Sequence, residues 1–175
     1  MPHNITKAVI DTCVLVDALM LNYVKTSSDK NLNEKWEHKV YDKNSNLIKH
    51  YSKFIDSIPI FVTTSQAMGE VPQVLKRVTE LEGKKLTSFW QKSIEFLKTK
   101  RLDEKLISII EMVEAQNNAN RIFEIGIVDS GLIELAKREK LPIITNDANT
   151  LRVRAGEVYS LEIIIPSEYL MYWKH

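Results

Sequence analysis

The chain has 175 residues and a mass of 20.2 kDa, and its residues are 44% hydrophobic and 27% charged. Lys and Arg total 24 against 23 Asp and Glu, a formal net charge of +1, which excludes a disordered polyelectrolyte and excludes binding to nucleic acid by bulk charge alone. A single domain of this length buries roughly 70% of the surface its unfolded chain exposes, so it needs neither disulfides nor a structural metal.

The elements are taken in chain order. The N-terminal stretch MPHNITKAVIDTC has no basic region followed by a long apolar run, so no signal peptide is expected. Lys7–Asp11 (KAVID) is a short unalternating apolar run, the pattern of a strand buried on both faces of a parallel sheet. From Thr12 to Leu21 the apolar positions predict a buried helix. Lys25–Lys49 is polar and rich in Asn, Ser and Lys, with Leu32, Trp36 and Val40 at helical spacing and loops expected at 26–31 and 42–46. A helical and loop insertion is therefore expected around 25–54.

Ile58–Val62 (IPIFV) predicts a second strand, and Thr63, Thr64 and Ser65 can cap the helix after it, in which Pro72 marks a kink or a later start. Amphipathic helices are predicted around Leu86–Leu97 and Leu106–Val113, and another over Ile127–Lys140. LPIIT (141–145) and LEIII (161–165) read as strands, with a short helix capped by Ser167 at the end. Helices alternating with short apolar strands imply an α/β layered fold, a central, mainly parallel sheet of four to five strands flanked by helices, in one domain spanning 1–175. No apolar run approaches the ~20 residues of a membrane span. A soluble cytoplasmic protein is expected.

Chemistry follows from where the acids fall. Asp11 ends the first strand and Asp147 follows the strand LPIIT, and groups just past the carboxyl ends of parallel strands face a ligand crevice. Asp129 shares a helix face with Leu132, Ile133 and Ala136, and Glu70 lies at the edge of an apolar stripe with Ala67 and Val74. Acids on such faces are unfavourable unless something positive or hydrogen-bonding meets them. Each also has a plainer reading: Asp11 and Asp129 as helix caps, Asp147 as a turn residue, Glu70 as an exposed helical acid. His3, His38, His50 and His175 are scattered and Cys13 is alone, which argues against a zinc site or a His-based triad.

The segments AVIDTCVLVDAL, TTSQAMGEVPQVL, GIVDSGLIELAKREK and LPIITNDANTL, in that order, resemble the PIN-domain nucleases, including VapC-like toxin ribonucleases. The resemblance implies a PIN-like three-layer fold and an acidic cluster of Asp11, Glu70, Asp129 and Asp147. It also places Thr145 at the family's small hydroxyl position. Cys13 stands where many relatives have Asn or Ser, and is expected to pack as a small apolar residue. Asn149 stands where relatives often carry another acid, leaving its carbonyl as an auxiliary contact. All-oxygen ligation suits one or two Mg²⁺ or Mn²⁺ ions, which would activate water and stabilise charge on a scissile phosphate.

The implied activity is metal-dependent endoribonuclease hydrolysis of single-stranded or looped RNA, leaving a 5′-phosphate and a 3′-hydroxyl. The protein would then be the toxin of a toxin–antitoxin pair with a protein antitoxin, and relatives are often homodimers. Alternatives are a PIN-type nuclease of RNA maturation or phage defence, and a non-catalytic PIN domain that binds RNA or protein. The longer insertion before Glu70 favours something other than a minimal toxin. Residues 84–101 carry six basic side chains (Lys84, Lys85, Lys92, Lys98, Lys100, Arg101) against Glu95 alone, and Arg152 and Arg154 adjoin the last acidic motif. Lys84, Lys85, Arg152 and Arg154 are the candidates for phosphate binding, against a plain reading as solvated surface. Phe89 and Trp90 fit the apolar period of a core better than a base-stacking platform.

Overall fold

Side chains alternate across a strand, and in β1 (Lys7–Ile10) that alternation creates the layers. A computed structural model of the chain describes residues 5–27, 45–116, 122, 124–147, 151 and 160–166. Ala8 and Ile10 enter one apolar core and Val9 enters a second, and all three are fully buried. The same split occurs at Phe61 against Val62 and at Ile144 against Ile143. Strands covered on both faces have no solvated side to mark with polar residues, hence their unalternating sequences.

The sheet has five strands: β1, β2 (Ile60–Thr64), β3 (Asp103–Lys105), β4 (Ile143–Ile144) and β5 (Ile163–Ile164). Their spatial order is β3-β2-β1-β4-β5 and every pairing is parallel. The chain therefore builds outward from β1 to β3, returns, and continues from β4 on the other side of β1. A strand order that reverses in this way opens a crevice beyond the carboxyl ends of the two strands at the reversal, here β1 and β4.

The first core contains side chains of α1 (Thr12–Thr26), α2 (Ser45–Ser57), α3 (Ser65–Val78) and α4 (Gly83–Thr99). The second contains those of α5 (Ile109–Gln116) and α6 (Ile127–Glu139). The expected α/β three-layer arrangement with a parallel central sheet is thus the observed one. Phe89 lies fully buried in the first core, its ring 5.5 Å from that of Tyr23 and 5.3 Å from that of Trp90, and such burial contributes about 2–3 kcal/mol.

Several boundaries differ from the sequence reading. α1 runs five residues past Leu21, and Ser45 and Asn46 begin α2 rather than a loop. Tyr51 and Ile55 of α2 are buried in the main core, so this part of the 25–54 segment is built into the domain. The helix expected from Leu106 starts at Ile109, and an edge strand of three charged residues, β3, precedes it. Pro72 sits exposed within α3, which continues through it. Thr64, of the three candidates, caps that helix, its hydroxyl accepting the Ala67 amide at 3.1 Å. The pattern Leu32–Trp36–Val40 and the helix expected at Ser167 lie outside the described residues. Among the described residues, no helix is long and apolar enough to cross a membrane.

Lys100 leaves the group of candidate surface cations. It is only 7% exposed, and its ammonium donates to the carbonyls of Ile55 (2.8 Å), Asp56 (3.0 Å) and Ile58 (3.0 Å) while lying over the rings of Phe61 and Phe96. It terminates α2 by satisfying carbonyls that a helix end leaves without partners. Lys92, likewise, donates to the Thr26 carbonyl at the end of α1.

Candidate metal centre at the carboxyl edge of the sheet

Asp11 follows β1 directly and is 5% exposed. Its Oδ2 accepts a 2.7 Å hydrogen bond from the Thr145 hydroxyl at the end of β4, and Thr145 Oγ1 in turn accepts the Asp147 amide at 2.9 Å. One buried hydroxyl thus ties together the two acids across the strand-order reversal. Asp11 is also the residue before α1, but beyond the adjacent Thr12 amide its carboxylate makes no capping bond into that helix. The capping reading therefore does not explain it.

Glu70 reaches the same region from α3, where Thr12 Oγ1 lies 3.4 Å from its Oε2. Asp129 sits in the first turn of α6. The residue before that helix is Gly126, with φ +98°, a backbone setting glycine adopts without a Cβ penalty. Asp129 is therefore not the cap. Gly131 lies where an added Cβ would be 3.6 Å from the Thr64 methyl, so α6 packs closely onto the end of β2 and holds its first turn against the crevice.

Electrostatics show which acids share the edge. Burial raises the Asp11 carboxyl above its usual range, and the fields of Asp147 and Glu70 raise it further against the lowering bonds from Thr145 and the Thr12 amide. Asp129 is pushed up to about 7, first by burial and then by Asp11, Asp147 and Glu70. Asp11 thus feels Asp147 and Glu70, and Asp129 feels Asp11, Asp147 and Glu70. Among the described residues, no lysine or arginine is ion-paired with Asp11, Glu70 or Asp129. Each acid faces others of its own sign.

Cys13 differs from its expected role. It is exposed rather than packed in the core, yet crowded enough that desolvation, then Asp11, Asp17, Asp129 and Asp147, push its thiol up to about 12. It stays a protonated thiol at neutral pH and is a poor nucleophile and ligand in that form.

Asp17 is the functional candidate that the sequence reading passed over. It sits on α1, 8% exposed, with its Oδ2 accepting 2.8 Å from the Asn146 side-chain amide and 3.2 Å from the Tyr51 hydroxyl. Burial is the main cause that raises its carboxyl to about 7, opposed by these two hydrogen bonds and helped by Asp11. An acid inside the apolar run VLVDALM was the available signal.

The donor set suits a hard divalent cation in chemistry: carboxylate oxygens and hydroxyls, with no imidazole and the thiol protonated. Asp11, Glu70, Asp129 and Asp147 are the residues that could hold one. Among the described residues, no three His, Cys, Asp or Glu side chains are grouped closely enough to hold one ion.

Lys84 and Lys85 are exposed at the start of α4, and neither is among the charges acting on Asp11 or Asp129. Asn149, Arg152 and Arg154 lie outside the described residues. No protein-family model matches the chain, and no curated protein matches it.

Proposed function

We propose that the chain is a PIN-type, Mg²⁺- or Mn²⁺-dependent endoribonuclease. One observation carries this reading. Four carboxylates from distant parts of the sequence lie around the sheet edge where the strand order reverses, two of them raised by burial and by neighbouring acids. Keeping such a set together is unfavourable for a domain that uses it only structurally.

A divalent ion bound there supplies a positive field that acidifies water and offsets the charge growing on a scissile phosphate. The chain's own residues do the rest. Thr145 holds Asp11 Oδ2, which fixes the carboxylate's orientation. Thr12 Oγ1 lies 3.4 Å from Glu70 Oε2, and in this reading Glu70 or Asp129 would take a proton or direct the attacking water. The Asp129 carboxyl, raised to about 7 by burial and neighbouring acids, suits general acid–base work. Lys84, Lys85, Arg152 and Arg154 are the proposed phosphate contacts, and RNA binding that depends on them weakens steeply with salt.

The test is cleavage of RNA by purified protein with Mn²⁺ or Mg²⁺, beside Asp11→Asn and Asp129→Asn. Each substitution is expected to lower the rate by about 100-fold or more, the order of magnitude of losing a catalytic proton-transfer group. Undiminished cleavage in both variants would remove the site. A toxin role, with an antitoxin partner, further requires that expression arrest growth and that co-expression of a neighbouring small gene relieve it. Growth unaffected alongside RNA cleavage in vitro points instead to RNA maturation or phage defence.

A further inference from the structure

Asp17, Tyr51 and Asn146 come from three different elements and meet at one point. Tyr51 is fully buried on α2, Asp17 is on the buried side of α1, and Asn146 lies between Thr145 and Asp147 after β4. Besides its bond to Asp17, the Asn146 amide also donates to the Tyr51 oxygen at 3.3 Å. Asn146 is itself exposed as a residue, so its side chain reaches inward from a surface turn. The three-residue segment 145–147 is therefore gripped twice: Thr145 by Asp11, and Asn146 by Asp17 and Tyr51.

A core that only needed filling would take Phe at 51 and an apolar residue at 17. Placing a carboxylate and a phenol there is unfavourable unless their hydrogen bonds are satisfied, and both are satisfied by an exposed turn residue that neither would need for packing. We propose that Asp17, Tyr51 and Asn146 are positioning residues that fix the segment carrying Asp147, and so set its separation from Asp11. This makes α2, which follows the polar 25–44 region, part of the support of the acidic edge. The consequence for ion affinity rests on the function proposed above, whereas the positioning of Asp147 does not.

The experiment uses the full chain and two readouts. The first is metal-free amide hydrogen exchange by NMR in wild type, Asn146→Ala, Tyr51→Phe and the double variant. Release of the grip is expected to speed exchange of the Asp147 amide about fivefold or more, as loss of one net hydrogen bond implies. The sheet amides of Asp11 and Thr145, which bond to Ile144 and Ile164, should keep their wild-type rates. The double variant should be no faster than Asn146→Ala alone, because Tyr51 acts through Asn146. An unchanged Asp147 amide, or an equal acceleration throughout the sheet, overturns the proposal.

The second readout is calorimetric Mn²⁺ titration, in which both single variants should bind about 10-fold more weakly, as for other groups that orient ligands. Faster Asp147 exchange in a protein whose wild type takes no Mn²⁺ upholds the positioning and sinks the nuclease reading. Mn²⁺ binding that is abolished by Asp11→Asn but untouched by both grip variants does the reverse.

Discussion

Gly126 precedes α6, three residues before Asp129. Its φ is +98° and nothing lies within 4 Å of an added Cβ, so a substitution there is penalised by backbone conformation alone. Gly126→Ala is expected to destabilise the fold by about 1–2 kcal/mol, measured by urea unfolding. Because α6 begins at the next residue, the same change should weaken Mn²⁺ binding even where the protein remains folded. Stability and affinity both at wild-type values would show that the turn imposes no such constraint. At this scale the sequence was legible wherever an acid followed a buried strand, as at Asp11 and Asp147. It was opaque at Asp17, whose partners Tyr51 and Asn146 stand 34 and 129 positions away, a pairing that no local period encodes.

Among the elements, α2 ends on a buried cation. Lys100 gathers three carbonyls at its end, and Lys100→Met, which keeps the stem but removes the donors, leaves those groups without a charged partner. A loss of about 3 kcal/mol is expected, read as a lower denaturation midpoint at unchanged slope. A midpoint at the wild-type value would mean that water replaces the ammonium without penalty. The strands β1, β2, β4 and β5 were readable because double burial writes itself as an apolar run. β3 was not readable, since an edge strand needs only one covered side and here consists of Asp, Glu and Lys, with Lys7 and Lys105 paired to Asp103. Charge on an edge strand also discourages pairing with another sheet. Likewise, α2 hid within a polar stretch because one stripe of Tyr51 and Ile55 suffices to dock it.

For the whole molecule, the crowded carboxyls couple stability to pH. Burial raises the Asp17 and Asp129 carboxyls to about 7 in the folded chain, from an ordinary 3.8. Between those values the folded chain keeps protons that the unfolded chain has released. Their contribution is fully present below about pH 4 and is lost as pH rises through about 7. Calorimetric melting in chelator should therefore show Tm falling from pH 5 to pH 8. Asp129→Asn should flatten part of that fall, a smaller part than burial alone suggests because the residue is less deeply covered than Asp17 and solvent screens it. Adding Mn²⁺ at pH 8 should raise Tm again, since a ligand of the native state stabilises it by mass action. A Tm that climbs with pH in the absence of metal would contradict the proposed repulsion.

The bond between Thr145 and Asp11 spans 134 positions, and β4 must dock beside β1 before it can form. On a ribosome, synthesis of the first two strands thus long precedes completion of the crevice, and any fragment ending before β4 carries Asp11 without its partner.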